Sequence, residues 1–160
     1  MRAWVGLLSR WVLGGVWLYA GGVKLADPWA SVAAVRAYEL LPGSTVVFVG
    51  HALPILEVAL GACLVLGLLT RASAAVSAGL LLVFIAGIVS VWTRGIEIDC
   101  GCFGGGGPRP DASSAYPLEI ARDLGLAALS LFVLALRRTS FTLDRVLLPR
   151  ATDPEETPDA

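Results

Sequence analysis

A chain of 160 residues that is 56% hydrophobic and 16% charged, with a mean hydropathy of +0.76, is short for two domains. It is also too apolar for one water-soluble core, since soluble domains carry roughly a quarter charged residues. The net charge of −1 supplies no basic field and excludes a nucleic-acid-binding reading, and three cysteines are too few for a disulfide framework. Lipid is the expected solvent. The expected fold class is all-α: an integral membrane four-helix bundle with a short extracytoplasmic interfacial helix.

Crossing the hydrocarbon layer takes about 20 apolar residues at helical rise. The first such stretch, residues 7–25, is interrupted at Arg10 and closes at Lys24. It spans if both long cations snorkel to opposite interfaces. A cleaved signal peptide is disfavoured, because Arg10 breaks the apolar run and no small-x-small site follows it. Asp27-Pro28 then predicts a helix start, with Asp at the N-cap and Pro at the first helical position. The run "WASVAAVRAYELLPG" reads as a short interfacial helix, with Trp29, Val32, Val35 and Tyr38 set against Arg36 and Glu39. The second span, residues 46–69, carries His51, Pro54 and Glu57; the third, 72–93, has no charge. The fourth, 118–136, carries Glu119, Arg122 and Asp123 near its start. Gly61, Gly67, Gly79, Gly87 and Gly125 suit close helix packing in lipid. The transmembrane domain is read as residues 1–138 and the remainder, 139–160, as a cytoplasmic tail. The acidic, Pro-containing end "ATDPEETPDA" is expected to be disordered from Ala151.

Four spans put both termini on one side. That side receives Arg2, Arg10, Arg71, Arg137, Arg138, Arg145 and Arg150; the other receives Lys24, Arg36, Arg94 and Arg109. The excess of basic residues predicts a multi-pass cell-membrane protein with cytoplasmic termini. The loop "IEIDCGCFGGGG" then faces outward, into the compartment where disulfides persist.

Cys100 and Cys102 in that loop are the expected catalytic residues, with Asp99, Glu57, Arg122, Asp123 and Lys24 in support. Residues two apart can meet the roughly 4.4–6.8 Å Cα spacing of a disulfide, and Gly101 supplies the backbone freedom. So short a ring is strained and a poor staple, which suits electron shuttling. Asp99 should disfavour a Cys100 thiolate, and the run Gly104–Gly107 should give the loop reach. Two rivals stay open: two incidental thiols, or a metal clip for Cu(I) or zinc completed by His51. The glycine run is not a phosphate loop, because no Lys-Ser/Thr closes it. Glu57, roughly 16 Å deep by helix rise, needs a partner or a proton. Arg122 is the expected partner, in a polar cluster with Asp123, Glu119 and Lys24 beneath the loop. That cluster reads either as a proton path or quinone-head site, or as an ion pair fixing helix register. His51 falls on another helix face from Glu57. Cys63, in "LGACLVLG", reads as a small core residue.

The words "GGVWLYAGGVKLADP", "YELLP", "LPILEVALGACLVLGL", "DCGCFG" and "LEIARDLGLAALSL", in that order, resemble the MauE branch of the DoxX-like membrane proteins. The resemblance implies a four-helix membrane bundle tied to extracytoplasmic thiol–disulfide chemistry beside a thioredoxin-like partner. In the family's founding case that serves maturation of methylamine dehydrogenase. In outline the architecture is similar to DsbB and vitamin K epoxide reductase, whose CxxC and extra loop cysteines this chain lacks. The resulting expectation is a membrane thiol–disulfide protein that exchanges electrons with a thioredoxin-fold protein, with quinone as a candidate carrier. The alternatives are a non-catalytic scaffold and a metal carrier.

Overall fold

The computed structural model describes residues 2–102 and 104–136, with side chains from residue 4. Among them are five α-helices: α1 (Arg2–Ala26), α2 (Pro28–Ala37), α3 (Gly43–Leu66), α4 (Thr70–Thr93) and α5 (Tyr116–Ala135). A short ribbon, β1 (Ile98–Asp99) antiparallel to β2 (Gly107–Pro108), and a 3₁₀ turn over Ala112–Ser114 fill the connection from α4 to α5. The chain is all-α in class, and α3 and α4 are each long and apolar enough to cross a membrane. The expected tail 139–160, with its disorder from Ala151, lies outside the described residues, as do Arg137, Arg138, Arg145, Arg150 and Phe103.

Local chemistry sets the helix ends. Asp27 caps α2 by accepting from the Ala30 N–H at 3.0 Å, with Pro28 opening the helix. α3 stops where Gly67 turns left-handed at φ 73°, and α4 begins after a three-residue turn. Pro54, buried inside α3, has no N–H to give the carbonyl four residues back. Ser31 of α2 supplies the missing donor, its hydroxyl reaching the Gly50 carbonyl at 2.7 Å. The proline thus creates the acceptor on which α2 docks, and α2 buries Ser31, Val32 and Ala34 there.

The tightest helix pair is α1 with α3. A Cβ on Gly14 would stand 2.6 Å from Val65, one on Gly61 2.8 Å from the Gly14 carbonyl, and one on Gly21 2.8 Å from the Pro54 carbonyl. Backbone therefore touches backbone, the packing that small residues allow in an apolar medium. α4 packs mainly on α5. A buried polar chain ties this pair to α1: Trp17 Nε1 donates to Ser77 Oγ at 2.6 Å, and Ser77 Oγ lies 3.1 Å from Ser130 Oγ. α3 and α4 touch only sparsely despite their short connection, and a cleft opens between them.

Arg10 and Lys24 do not snorkel outward. Arg10 is 1% exposed and donates to the carbonyls of Leu64 (3.1 Å) and Val65 (3.4 Å). A helix leaves its last carbonyls unpaired, and here a cation on the neighbouring helix satisfies them. Lys24 turns inward to α3 as well.

Substituting Gly61→Leu should destabilise the fold by about 1–3 kcal/mol through overpacking of the α1–α3 seam. Gly79→Leu, where a Cβ meets nothing within 4 Å, should be nearly silent. Thermal unfolding of the two variants in the same detergent checks this difference.

Candidate functional site: a buried dithiol above an ion-paired helix seam

The α4–α5 connection folds back over α1, α2 and α5. Cys100 and Cys102 are only 9% and 7% exposed, and they pack with Ile88, Val91, Ile98 and Tyr116. The glycine run is therefore not a tether with reach. Gly104 to Gly107 all have positive φ, from 76° to 122°, as does Gly101 at 65°. A Cβ on Gly101 would lie 2.7 Å from Ala34 Cβ, one on Gly106 2.3 Å from the same atom, and one on Gly104 2.4 Å from Val23. Only glycine meets both demands, left-handed backbone and contact with α1 and α2.

Two tyrosines absent from the expected site hold this segment. Tyr38, at the end of α2, donates to the Cys100 carbonyl at 2.9 Å. Tyr116, 1% exposed, accepts from the Ile98 N–H at 3.0 Å and lies 2.9 Å from the Ile96 carbonyl. The Arg94 guanidinium donates to the Tyr38 carbonyl. The one sequence signal for Tyr116 is its place before Pro117 at the start of α5. Asp99 does not act on Cys100 as expected. Its carboxylate accepts from the Gly101 N–H at 3.1 Å and pairs at the surface with Arg109 at 3.6 Å.

The two thiols are unequal. A hydrogen bond from Cys102 holds Cys100 below the ordinary thiol range; burial and the Glu119 charge oppose this, and Arg122 assists it. The same hydrogen bond, then burial and the neighbouring Cys100 charge, push Cys102 far up. Cys102 Sγ also lies 3.9 Å from the Cys100 carbonyl. Burial, followed by the two sulfurs, raises the Tyr38 phenol, so it remains a donor.

Beneath the dithiol lie the buried charges. Glu57, 0% exposed, pairs with Lys24 at 2.5 Å rather than with Arg122. Arg122 instead holds Asp123, its chain neighbour, at 2.8 Å. The reason is helix adjacency: α3 nests on α1 and α5 on α4, and Gly21 brings α1 against the backbone around Pro54 and Glu57. The Lys24 ammonium also sits 5.4 Å from the Phe84 ring centroid. One oxygen each of Glu57, Glu119 and Asp123 is buried without a hydrogen-bond partner among the described residues.

A cleft of about 300 Å³ reaches the dithiol from between α2, α3 and α4. Lys24, Cys100 and Cys102 line it; Glu57 and Arg122, the expected carrier-binding pair, do not. His51 is exposed, with its ring on Trp29 and Nδ1 2.8 Å from the Val47 carbonyl. Among the described residues no group of three His, Cys, Asp or Glu converges as metal ligands, so the His51-completed clip does not form. Cys63 is half-buried within α3.

These features define an apolar helical protein closed by a dithiol-bearing hairpin. The chain belongs to the family described as Methylamine utilisation protein MauE, which matches residues 2–136. It is similar to the Methylamine utilization protein MauE of Paracoccus denitrificans, at 37% identity over 100 residues, covering 62% of this chain and 52% of that protein. The chain thus matches about half the length of that relative. No solved structure matches it.

Two outcomes follow from this geometry. Lys24→Met strands a buried carboxylate and should cost about 3–5 kcal/mol, whereas Lys24→Met with Glu57→Gln should recover most of that loss; chemical unfolding of the single and double variants decides. The second concerns pH. Because the Cys100 thiolate is favoured, its alkylation rate should rise at a pH below that of an ordinary cysteine thiol. Cys102→Ala removes the donor, so the midpoint should move up; iodoacetamide labelling read by peptide mass against pH measures both.

Proposed function

We propose that this chain is a multi-pass membrane thiol–disulfide protein serving methylamine utilisation. In this reading Cys100 and Cys102 exchange electrons with an extracytoplasmic thioredoxin-fold protein. The observation that carries the proposal is the Cys100/Cys102 pair on its packed seat: both residues are buried, Tyr38 holds the Cys100 carbonyl, and a cleft reaches both. The opposite directions in which the two thiols shift suit a division of labour. The thiolate attacks or leaves, and the second sulfur resolves.

The exchange runs as follows. A partner thiolate attacks the Cys100–Cys102 disulfide at Cys100, and Cys102 leaves as a thiolate that takes up a proton. The second partner thiol loses its proton and attacks the partner sulfur of the mixed disulfide. The partner disulfide forms and Cys100 leaves as a thiolate, the form its hydrogen bond from Cys102 favours. Two electrons have then moved from the partner to this chain, and each step is reversible. Arg122 offsets the charge on both sulfurs. The carboxyl oxygens of Glu119 and Asp123 that lack hydrogen-bond partners among the described residues are acceptors for protons released nearby. Lys24 and Glu57 set the register of the two helices beneath the site.

The membrane reading draws support from α3 and α4, which are apolar and long enough to cross. The remaining two crossings, by α1 and α5, belong to the proposal, as do cytoplasmic termini and an outward-facing hairpin. They rest on the distribution of basic residues along the chain.

Cys102→Ser should trap a mixed disulfide between Cys100 and the partner, visible as a reducible band on a gel. Cys100→Ser should not trap it, and each variant should reduce partner turnover to background. Undiminished turnover in both variants would contradict the reading.

A further inference from the structure

We propose that Asp123 is the proton relay of Cys102, working through one water molecule held in a small cavity between α1, α4 and α5. The proposal rests on the thiol–disulfide reading and assigns, among the buried carboxyls, the one that serves the resolving sulfur.

Cys102 gains or loses a proton each time the pair opens or closes, yet it is buried. On the side facing the bundle it lines a cavity of about 20 Å³. That exceeds the roughly 10–15 Å³ that one water molecule needs. Leu13, Ala20, Leu81, Phe84 and Leu126 give the cavity apolar walls. Trp17 also lines it, but its indole N–H is spent on Ser77 at 2.6 Å. Asp123 of α5, 2% exposed, is the one charged residue in the lining. A water there has two groups to bond, Cys102 Sγ and the Asp123 carboxyl, the least that holds a buried water.

The two carboxyl oxygens of Asp123 have different duties. Oδ1 accepts from the Arg122 side chain, 2.9 Å from Nε and 2.8 Å from Nη2. Oδ2 is buried with no hydrogen-bond partner among the described residues, so it is the oxygen left for a water or a proton. Glu119 and Glu57 lie outside the cavity lining, and Glu57 is tied to Lys24. The other groups that act on Cys102 and Asp123 are Arg122 and Glu119 of α5, Lys24 of α1, Tyr38 at the end of α2 and Cys100 of the hairpin. From α3 comes Glu57, paired with Lys24, and α4 has no charged residue over 72–93. When a partner thiolate attacks Cys100, the S–S bond breaks and Cys102 keeps the bonding pair. The water gives Cys102 a proton and takes the one on Asp123 Oδ2, leaving a carboxylate beside Arg122. The proton shed by the partner's second thiol restores the Asp123 carboxyl, and the two electrons come from the partner. On closing, Cys102 returns its proton by the same path as its sulfur attacks.

The test uses the full chain in lipid nanodiscs, its pair closed by diamide and then opened by dithiothreitol over a series of pH values. Opening is quenched with iodoacetamide and counted by mass, and each rate is divided by the thiolate fraction of dithiothreitol. The relay delivers a proton only while Asp123 carries one. The corrected wild-type rate should therefore fall as pH rises, and it should be lower in heavy water. Asp123→Asn keeps an oxygen for Arg122 but has no proton to deliver. Its rate should be about 100-fold lower at the acid end, flat with pH and insensitive to heavy water. Ala20→Val, which crowds the cavity and keeps the carboxyl, should lower the rate in the same direction. A wild-type rate independent of both pH and heavy water, or an Asp123→Asn rate with the wild-type pH profile, would overturn the relay and leave the dithiol reading standing. A wild-type pair that diamide does not close would overturn both.

Discussion

The ion pair between Lys24 and Glu57 constrains everything above it. Both side chains are buried, the contact is 2.5 Å, and the surroundings are helical and apolar. In such a medium an unpaired charge costs several kcal/mol, far more than a surface pair gains in water. The two groups must therefore meet, which sets α1 and α3 side by side in one register. Gly14, Gly21 and Gly61 permit that approach. Arg10, bonded to the last carbonyls of α3, fixes the same two helices at their other end. The seam is held at three heights, and its register is not free to slide.

The register determines where the hairpin can sit. With α1 fixed, Val23 lies beneath Gly104, and with α2 docked on the carbonyl that Pro54 leaves free, Ala34 lies beneath Gly101 and Gly106. Tyr38 and Tyr116 then hold the loop backbone from α2 and α5. The thiol asymmetry is a product of this seating, because it depends on one sulfur donating to the other at a fixed place beside Glu119 and Arg122. A loose CGC loop would average the two sulfurs toward ordinary thiols. The gap left where α3 and α4 part gives the buried sulfurs a second approach, from the apolar side.

Much of the fold was legible in the sequence, because apolar runs of helical length and an Asp-Pro cap are local signals. Helix α2 and its cap follow from Asp27-Pro28 alone. The partner of Glu57 was not legible. Arg122 and Lys24 are both cations near the same end, and the choice between them is made by which helices neighbour each other. Snorkelling was the natural expectation for Arg10 in a span, but the unsatisfied carbonyls of α3 offered a better partner. The glycine run misled for a related reason. Glycine marks freedom in a flexible segment and close approach in a packed one, and only the neighbours Val23 and Ala34 distinguish the two. The two cysteines were legible as a close pair; their burial, and the cleft that reaches them, are tertiary properties.

The central claim is that Cys100 and Cys102 form a reversible redox pair. Its most direct test is the pair's state in native membranes isolated without reductant and denatured in a thiol-blocking reagent. Mass analysis then counts the thiols that become available only on reduction. The account predicts that a substantial fraction of chains yields two new thiols, at Cys100 and Cys102, with Cys63 blocked from the start. If all three cysteines are blocked before reduction in every chain, with or without an added oxidant, the pair does not cycle and the account is wrong.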